Sequence, residues 1–144
     1  MKPGHLWKKT QMPLLPFSPL AGKRIVTVED EGITQIQLHK LLTIAGLIVV
    51  GQARNGEEAV ELILREKPDL VTMDIKMPIM DGLEATRQIM EQDSPCVVIL
   101  TSYNDDDYRH RAEEVHACGY ALKPISSVSL LSALETSYRH HDAQ

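Results

Sequence analysis

Glu29, Asp30, Asp74, Thr101 and Lys123 each stand at or just past the end of an apolar run. Carboxylates gathered in one place repel each other unless a cation lies among them. Oxygen ligands without histidine or cysteine favour magnesium, which keeps several waters and recruits phosphate oxygens. A lysine facing such acids can neutralise one of them or bind an incoming anion as a point charge. A threonine hydroxyl can donate to a phosphoryl oxygen. Together these parts suit a carboxylate nucleophile attacking phosphorus, with metal and lysine stabilising the transferring group. Asp74 is the candidate nucleophile. It ends the run Leu70-Val-Thr-Met, and Pro78 and Gly82 shape the loop that follows. Alone it would be an ordinary turn residue; its company gives it meaning.

That company depends on the elements that carry it. Arg24 to Val28 reads as a short β-branched strand. Thr34 to Ala45 reads as a helix, with Leu38, Leu41, Leu42 and Ala45 on one stripe, Ile36 and Ile44 off it, and Gly46 closing it. Leu47 to Ala53 is the second strand, and Asn55-Gly56 turns into a helix from Glu57 to Glu66 that Pro68 ends. Leu70 to Met73 is the third strand and Gly82 to Glu91 the next helix. Cys96 to Leu100, the polar helix Asp105 to His116, Gly119 to Lys123 and a helix from Ser127 to about Tyr138 complete the pattern. Five such β–α units imply a parallel sheet covered by helices on both faces. Right-handed crossovers then place every strand's carboxyl end, and all five chemical residues, along one edge.

Composition narrows the classes. The chain has 144 residues, 43% hydrophobic and 24% charged, with a net charge of −5, so neither a nucleic-acid surface nor a membrane patch is expected. No apolar stretch approaches the ~18 residues of a membrane span. Cys96 and Cys118 lack CxxC spacing and read as reduced core residues. The six histidines form no zinc pattern. Met73, Met77, Met80 and Met90 read as packing residues, and Asp105 to Asp107 as a solvated helix start. Residues 1–22 are rich in proline and hold Trp7 and Phe17; they read as a flexible N-terminal extension, the alternative being an extended arm that packs through Trp7 and Phe17, with 23–140 as the domain and 141–144 as a tail. The signal-peptide-like stretch near Met12 is broken by prolines and has no cleavage site, which points to the cytoplasm.

Four pieces then stand in order: Ile25-Val-Thr-Val-Glu29-Asp30-Glu31, Met73-Asp74-Ile-Lys-Met-Pro-Ile-Met-Asp-Gly82, Leu100-Thr101-Ser102 and Gly119-Tyr120-Ala-Leu-Lys123-Pro124. On these, the chain from Lys23 to about Tyr138 resembles the receiver domain of bacterial two-component response regulators, the CheY-like family. The resemblance implies that Asp74 accepts a phosphoryl group from a histidine kinase or phosphotransfer protein. It implies Mg2+ held by Asp30, Asp74 and the Lys76 carbonyl, with Glu29 acting through water. Lys123 would pair with the phosphoryl group, Thr101 would move to bond it, and Tyr120 would swing inward. That movement would change the face of the fourth helix, fifth strand and last helix, where a downstream protein binds. The resemblance also implies a doubly wound five-stranded sheet of order 2-1-3-4-5 flanked by five helices, and it allows a cis Lys123-Pro124 bond. Glu29 stands where Asp is common, and His116 where Gly usually follows the fourth helix. The expected role is a receiver without an output module, acting by phosphorylation-dependent protein contact. An aspartate-nucleophile phosphohydrolase is the alternative, but Lys76 occupies the place of its usual second Asp. A flavodoxin-like nucleotide binder would need a Gly-rich phosphate loop, which is lacking.

Overall fold

The computed structural model describes residues 18–143; Trp7 and Phe17 lie outside the described residues. Five strands form one parallel sheet in the order β2-β1-β3-β4-β5. They are β1 (Arg24–Val28), β2 (Ile48–Ala53), β3 (Leu70–Met73), β4 (Cys96–Thr101) and β5 (Gly119–Leu122). The helices are α1 (Gly32–Ile44), α2 (Gly56–Glu66), α3 (Gly82–Gln92), α4 (Asp106–Glu114) and α5 (Ser127–Asp142). The parallel sheet is the one the alternation predicts, and its strand order is the one the family resemblance implies.

Strand alternation divides the core into two layers. Val26, Val28, Val71, Met73, Val97 and Ile99 pack with residues of α2, α3 and α4. Ile25, Leu70, Cys96, Val98 and Leu100 point the other way, against Leu38 and Leu42 of α1 and Leu130 and Leu134 of α5. β3 and β4 are buried along their whole length, as near-continuous apolar runs in a covered parallel sheet require. Met77, Met80 and Met90 fill gaps beside the first layer as packing residues. Ile36 and Ile44, off the stripe of α1, are exposed. Leu20 is buried in the second layer, and Ser18 Oγ donates to Glu135 Oε2 at 2.7 Å, so the chain joins the core before β1 begins.

Side-chain caps set most helix starts. Asn55, Asp81, Asp105 and Ser126 accept from backbone N–H groups of α2, α3, α4 and α5 respectively. The bounds of three helices differ most from the expected ones. α1 begins at Gly32, its first backbone bond running from Gln35 N to Glu31 O, and ends at Ile44 because Gly46 takes a φ of 97°. α4 stops at Glu114, because His116 adopts a left-handed φ of 65°, the place where glycine is favoured. α5 continues past Tyr138 to Asp142, with Arg139, His140 and His141 in its last turn, where cations suit the helix dipole. None of the described helices is long and apolar enough to cross a membrane.

Candidate phosphoacceptor site

The carboxyl ends of β1, β3, β4 and β5 bring the expected residues to one edge. β1 delivers Glu29 and Asp30, and the Glu29 N–H donates to Ala53 O across to β2 at 3.0 Å. β3 delivers Asp74, whose N–H donates to Val28 O at 3.1 Å. Oxygens of Glu29, Asp30 and Asp74 all lie within 4.8 Å of one another. Lys123 reaches in from the end of β5: its Nζ is 2.6 Å from Glu29 Oε1, 3.4 Å from Asp74 Oδ2 and 3.6 Å from Glu31 Oε1. Its backbone N–H donates to Thr101 O at 2.9 Å, which ties the lysine's position to the end of β4. The Lys123-Pro124 bond is cis.

Glu29 is 1% exposed and Asp74 7%. Burial raises the pKa of Asp74 from 3.8 to about 7, and the Glu29 charge adds to this, against the opposing pull of Lys123 and the Ile75 N–H. Burial pulls the Lys123 ammonium down, but Glu29 and Asp74 more than reverse that, and its pKa is raised. Glu29 Oε1 accepts no well-aligned hydrogen bond and faces only the Lys123 charge. Such crowding of partly satisfied oxygens fits a hard divalent cation, which would relieve the repulsion that one ammonium leaves in place.

Thr101 is fully buried at the end of β4, and its Oγ1 accepts from Tyr103 N at 3.3 Å. Among the described residues no hydrogen bond joins it to Asp74. Tyr120, on β5, donates its hydroxyl to Tyr103 O at 2.5 Å, with the Arg109 guanidinium 4.5 Å from its ring centroid. Tyr103 thus engages both Thr101 and Tyr120 through its backbone. Lys76 follows Asp74 in the loop, and its ammonium lies 4.7 Å from the centroid of the Tyr103 ring.

Sequence reasoning missed Gln35. This buried residue of α1 donates from Nε2 to Ala53 O at 3.0 Å and to Glu29 O and Thr27 O at 3.3 Å, while its Oε1 accepts from Thr27 Oγ1 at 2.6 Å. It holds the carbonyl edge from which Glu29 projects. The available signal was its spacing, three residues before Leu38 on the buried stripe. Gly82 was legible as a loop residue, but not for its reason. A Cβ there would run into the Asp74 carbonyl, so the loop after β3 closes only over glycine.

The family model of the response regulator receiver domain matches residues 25–135. The chain is 39% identical over 113 residues to the transcriptional regulatory protein PdtaR of Mycobacterium tuberculosis, covering 78% of this chain and 55% of that one. It is 36% identical over 117 residues to the transcriptional regulatory protein YdfI of Bacillus subtilis, covering 81% and 55%. The chain therefore spans about half the length of these curated relatives. Among solved structures, it resembles the BeF3-activated receiver domain of Klebsiella pneumoniae RstA, with a TM-score of 0.74, 34% identity and coverage of 81% and 98%. It also resembles a chain of the CheX-CheY-BeF3-Mg2+ complex from Borrelia burgdorferi, with a TM-score of 0.79, 26% identity and coverage of 82% and 90%.

Proposed function

We propose that this chain, which belongs to the response regulator receiver domain family, accepts a phosphoryl group on Asp74 and signals through the change that follows. One observation carries the reading: three carboxylates converge at a strand edge on a lysine 2.6 Å from Glu29 and 3.4 Å from Asp74. Asp74 Oδ1 is engaged by the Ile75 N–H at 2.8 Å, which leaves Oδ2, beside Lys123, as the attacking oxygen. A bond forms from Oδ2 to phosphorus as the bond from phosphorus to the donor, an imidazole nitrogen of a histidine kinase or phosphotransfer protein, breaks. Glu29, Asp30, Asp74 and the Lys76 carbonyl would hold Mg2+, which when bound neutralises charge on the transferring group. Lys123 stabilises the phosphoryl oxygens and keeps the new acyl phosphate oriented. Thr101 gives up the Tyr103 N–H and donates its hydroxyl to the phosphoryl group. Because Tyr103 also holds the Tyr120 hydroxyl, that movement releases Tyr120 and reshapes the face of α4, β5 and α5. A downstream protein reads that face, in the cytoplasm.

Lys76 stands where a dedicated aspartate phosphohydrolase commonly carries its second carboxylate, which favours the receiver reading over that one. Acetyl phosphate labelling, followed by intact mass with and without a chelator, tests the reading. The expected result is one phosphoryl group per chain, lost with chelator and absent in Asp74→Asn. An Asp74→Asn protein labelled at the native rate would overturn it.

A further inference from the structure

Two thiols stand at the opposite edge of the sheet from Asp74. Cys96 opens β4 and Cys118 immediately precedes β5. The Cys118 N–H donates to Val97 O at 2.7 Å, so Cys118 lies alongside Val97 and diagonally from Cys96. In an ideal parallel sheet, residues on neighbouring strands one position out of step have Cα atoms roughly 6 Å apart, inside the range a disulfide spans. Both side chains belong to the layer beneath α1 and α5.

The two differ in access. Cys96 is fully buried. Cys118 is half-buried and lines a cleft of about 650 Å³ whose walls include His116, Ser137 and His141. His141 is fixed there, its Nε2 2.7 Å from Ser94 O. We propose that Cys118 and Cys96 form a peroxide-sensitive dithiol, in which Cys118 is the reacting sulfur and Cys96 the one that resolves it.

In the first step the Cys118 thiolate attacks a hydroperoxide. The O–O bond breaks, one oxygen bonds to sulfur as a sulfenic acid, and the other leaves as hydroxide or alkoxide. In the second, the Cys96 sulfur attacks the Cys118 sulfur. The S–OH bond breaks, the Cys96 proton goes to the departing oxygen, and water leaves as the disulfide forms. The two sulfurs together lose two electrons, and the peroxide gains them. Roles follow from surroundings. The adjacent Cys96, His141 and the Val97 N–H lower the Cys118 thiol from its ordinary value, against the opposing effect of burial. Cys96 is pushed up, by the adjacent Cys118 and by burial, so it keeps its proton until Cys118 is oxidised.

The whole chain, fully reduced, is treated with hydrogen peroxide, quenched, and followed by intact and peptide mass. The expected product is a monomer lighter by two hydrogens, with Cys96 and Cys118 in one linked peptide pair. Cys96→Ser should stop at a sulfenic acid on Cys118 that dimedone captures, and Cys118→Ser should not react. Iodoacetamide at neutral pH should label Cys118 at least about tenfold faster than Cys96 in the folded protein. Cys118→Ser oxidised at the native rate, or disulfide-linked dimers as the only product, would overturn the proposal. Asp74→Asn should oxidise normally, which separates this outcome from that of the phosphorylation test.

Discussion

The sheet edge that holds the candidate site is held firmly on one side and loosely on the other. Every residue of β3 is buried, and α3 behind it buries Gly82, Leu83, Ala85, Thr86 and Ile89. No residue of β5 is fully buried, and α4 beside it buries only Ala112. Asp74 lies on the firm side; Tyr120 lies on the loose one. The division suits the roles proposed for these two residues. A nucleophile must be held within a fraction of an ångström to be useful. An element that reports the reaction must instead differ little in free energy between two arrangements, and sparse burial achieves that.

One methyl group added to each side should separate the two most strongly. In Gly82→Ala the new Cβ meets the Asp74 carbonyl, part of a backbone fixed by the Gly82 N–H to Ile75 O bond at 2.8 Å. Since the loop cannot yield, the expected cost is about 3 kcal/mol of stability, with phosphorylation lost. In Gly119→Ala the new Cβ meets the Ser137 hydroxyl first. That group turns away, and the expected cost is about 1 kcal/mol. Urea unfolding measures both, and equal costs would remove the distinction.

A smaller effect comes from the charge that the firm side buries. Asp74 keeps its proton in the fold up to about pH 7, chiefly because it is buried, whereas its ordinary value is 3.8. A group with a raised folded pKa stabilises the fold fully below the unfolded value, and that contribution is lost as pH rises through the folded one. Without divalent cation, stability should therefore fall between pH 4 and 7 by about 2 kcal/mol, less than the full shift because Glu29 and Lys123 readjust. Asp74→Asn should flatten that decline, and magnesium should restore stability at pH 8 in the native protein alone. Thermal unfolding across pH with chelator or magnesium tests both statements; a profile unchanged in Asp74→Asn would assign the decline to another group.

Much of this was legible in the sequence because the firm side is written in strong local signals. Apolar runs ending in Glu29-Asp30, Asp74 and Thr101, each followed by a turn, define strands and their chemical ends together. Chain connectivity then leaves little freedom over which edge collects them. What remained hidden depends on contacts between distant elements. Gln35 looks like any polar helix residue until three carbonyls from β1 and β2 are placed around it. The extra turn of α5 and the early end of α4 depend on how each chain end finds partners, and propensity constrains that weakly. Tyr103 carries no motif, yet its backbone joins Thr101 to Tyr120.

The smallest effect separates the two sides through their helix caps. Asn55 is buried, and its Oδ1 accepts from Glu58 N at 2.9 Å to start α2, whose Ala59 and Ile63 lie in the core. Asp105 is exposed, and its Oδ1 accepts from Tyr108 N at 2.9 Å to start α4. Either cap replaced by alanine loses about 1 kcal/mol of helix stability. In α2 that loss must appear in the global unfolding free energy, since α2 cannot open without exposing the core. In α4 it should appear locally instead, as amide exchange about fivefold faster from Asp106 to Val115, with the global value changed by less than about 0.5 kcal/mol. Addition of beryllium fluoride and magnesium, as a stable phosphoryl mimic, should alter exchange across residues 101–125 and leave α2 unchanged. If Asp105→Ala lowers global stability as much as Asn55→Ala does, α4 opens only with the rest of the domain, and a small local bias cannot be what moves it.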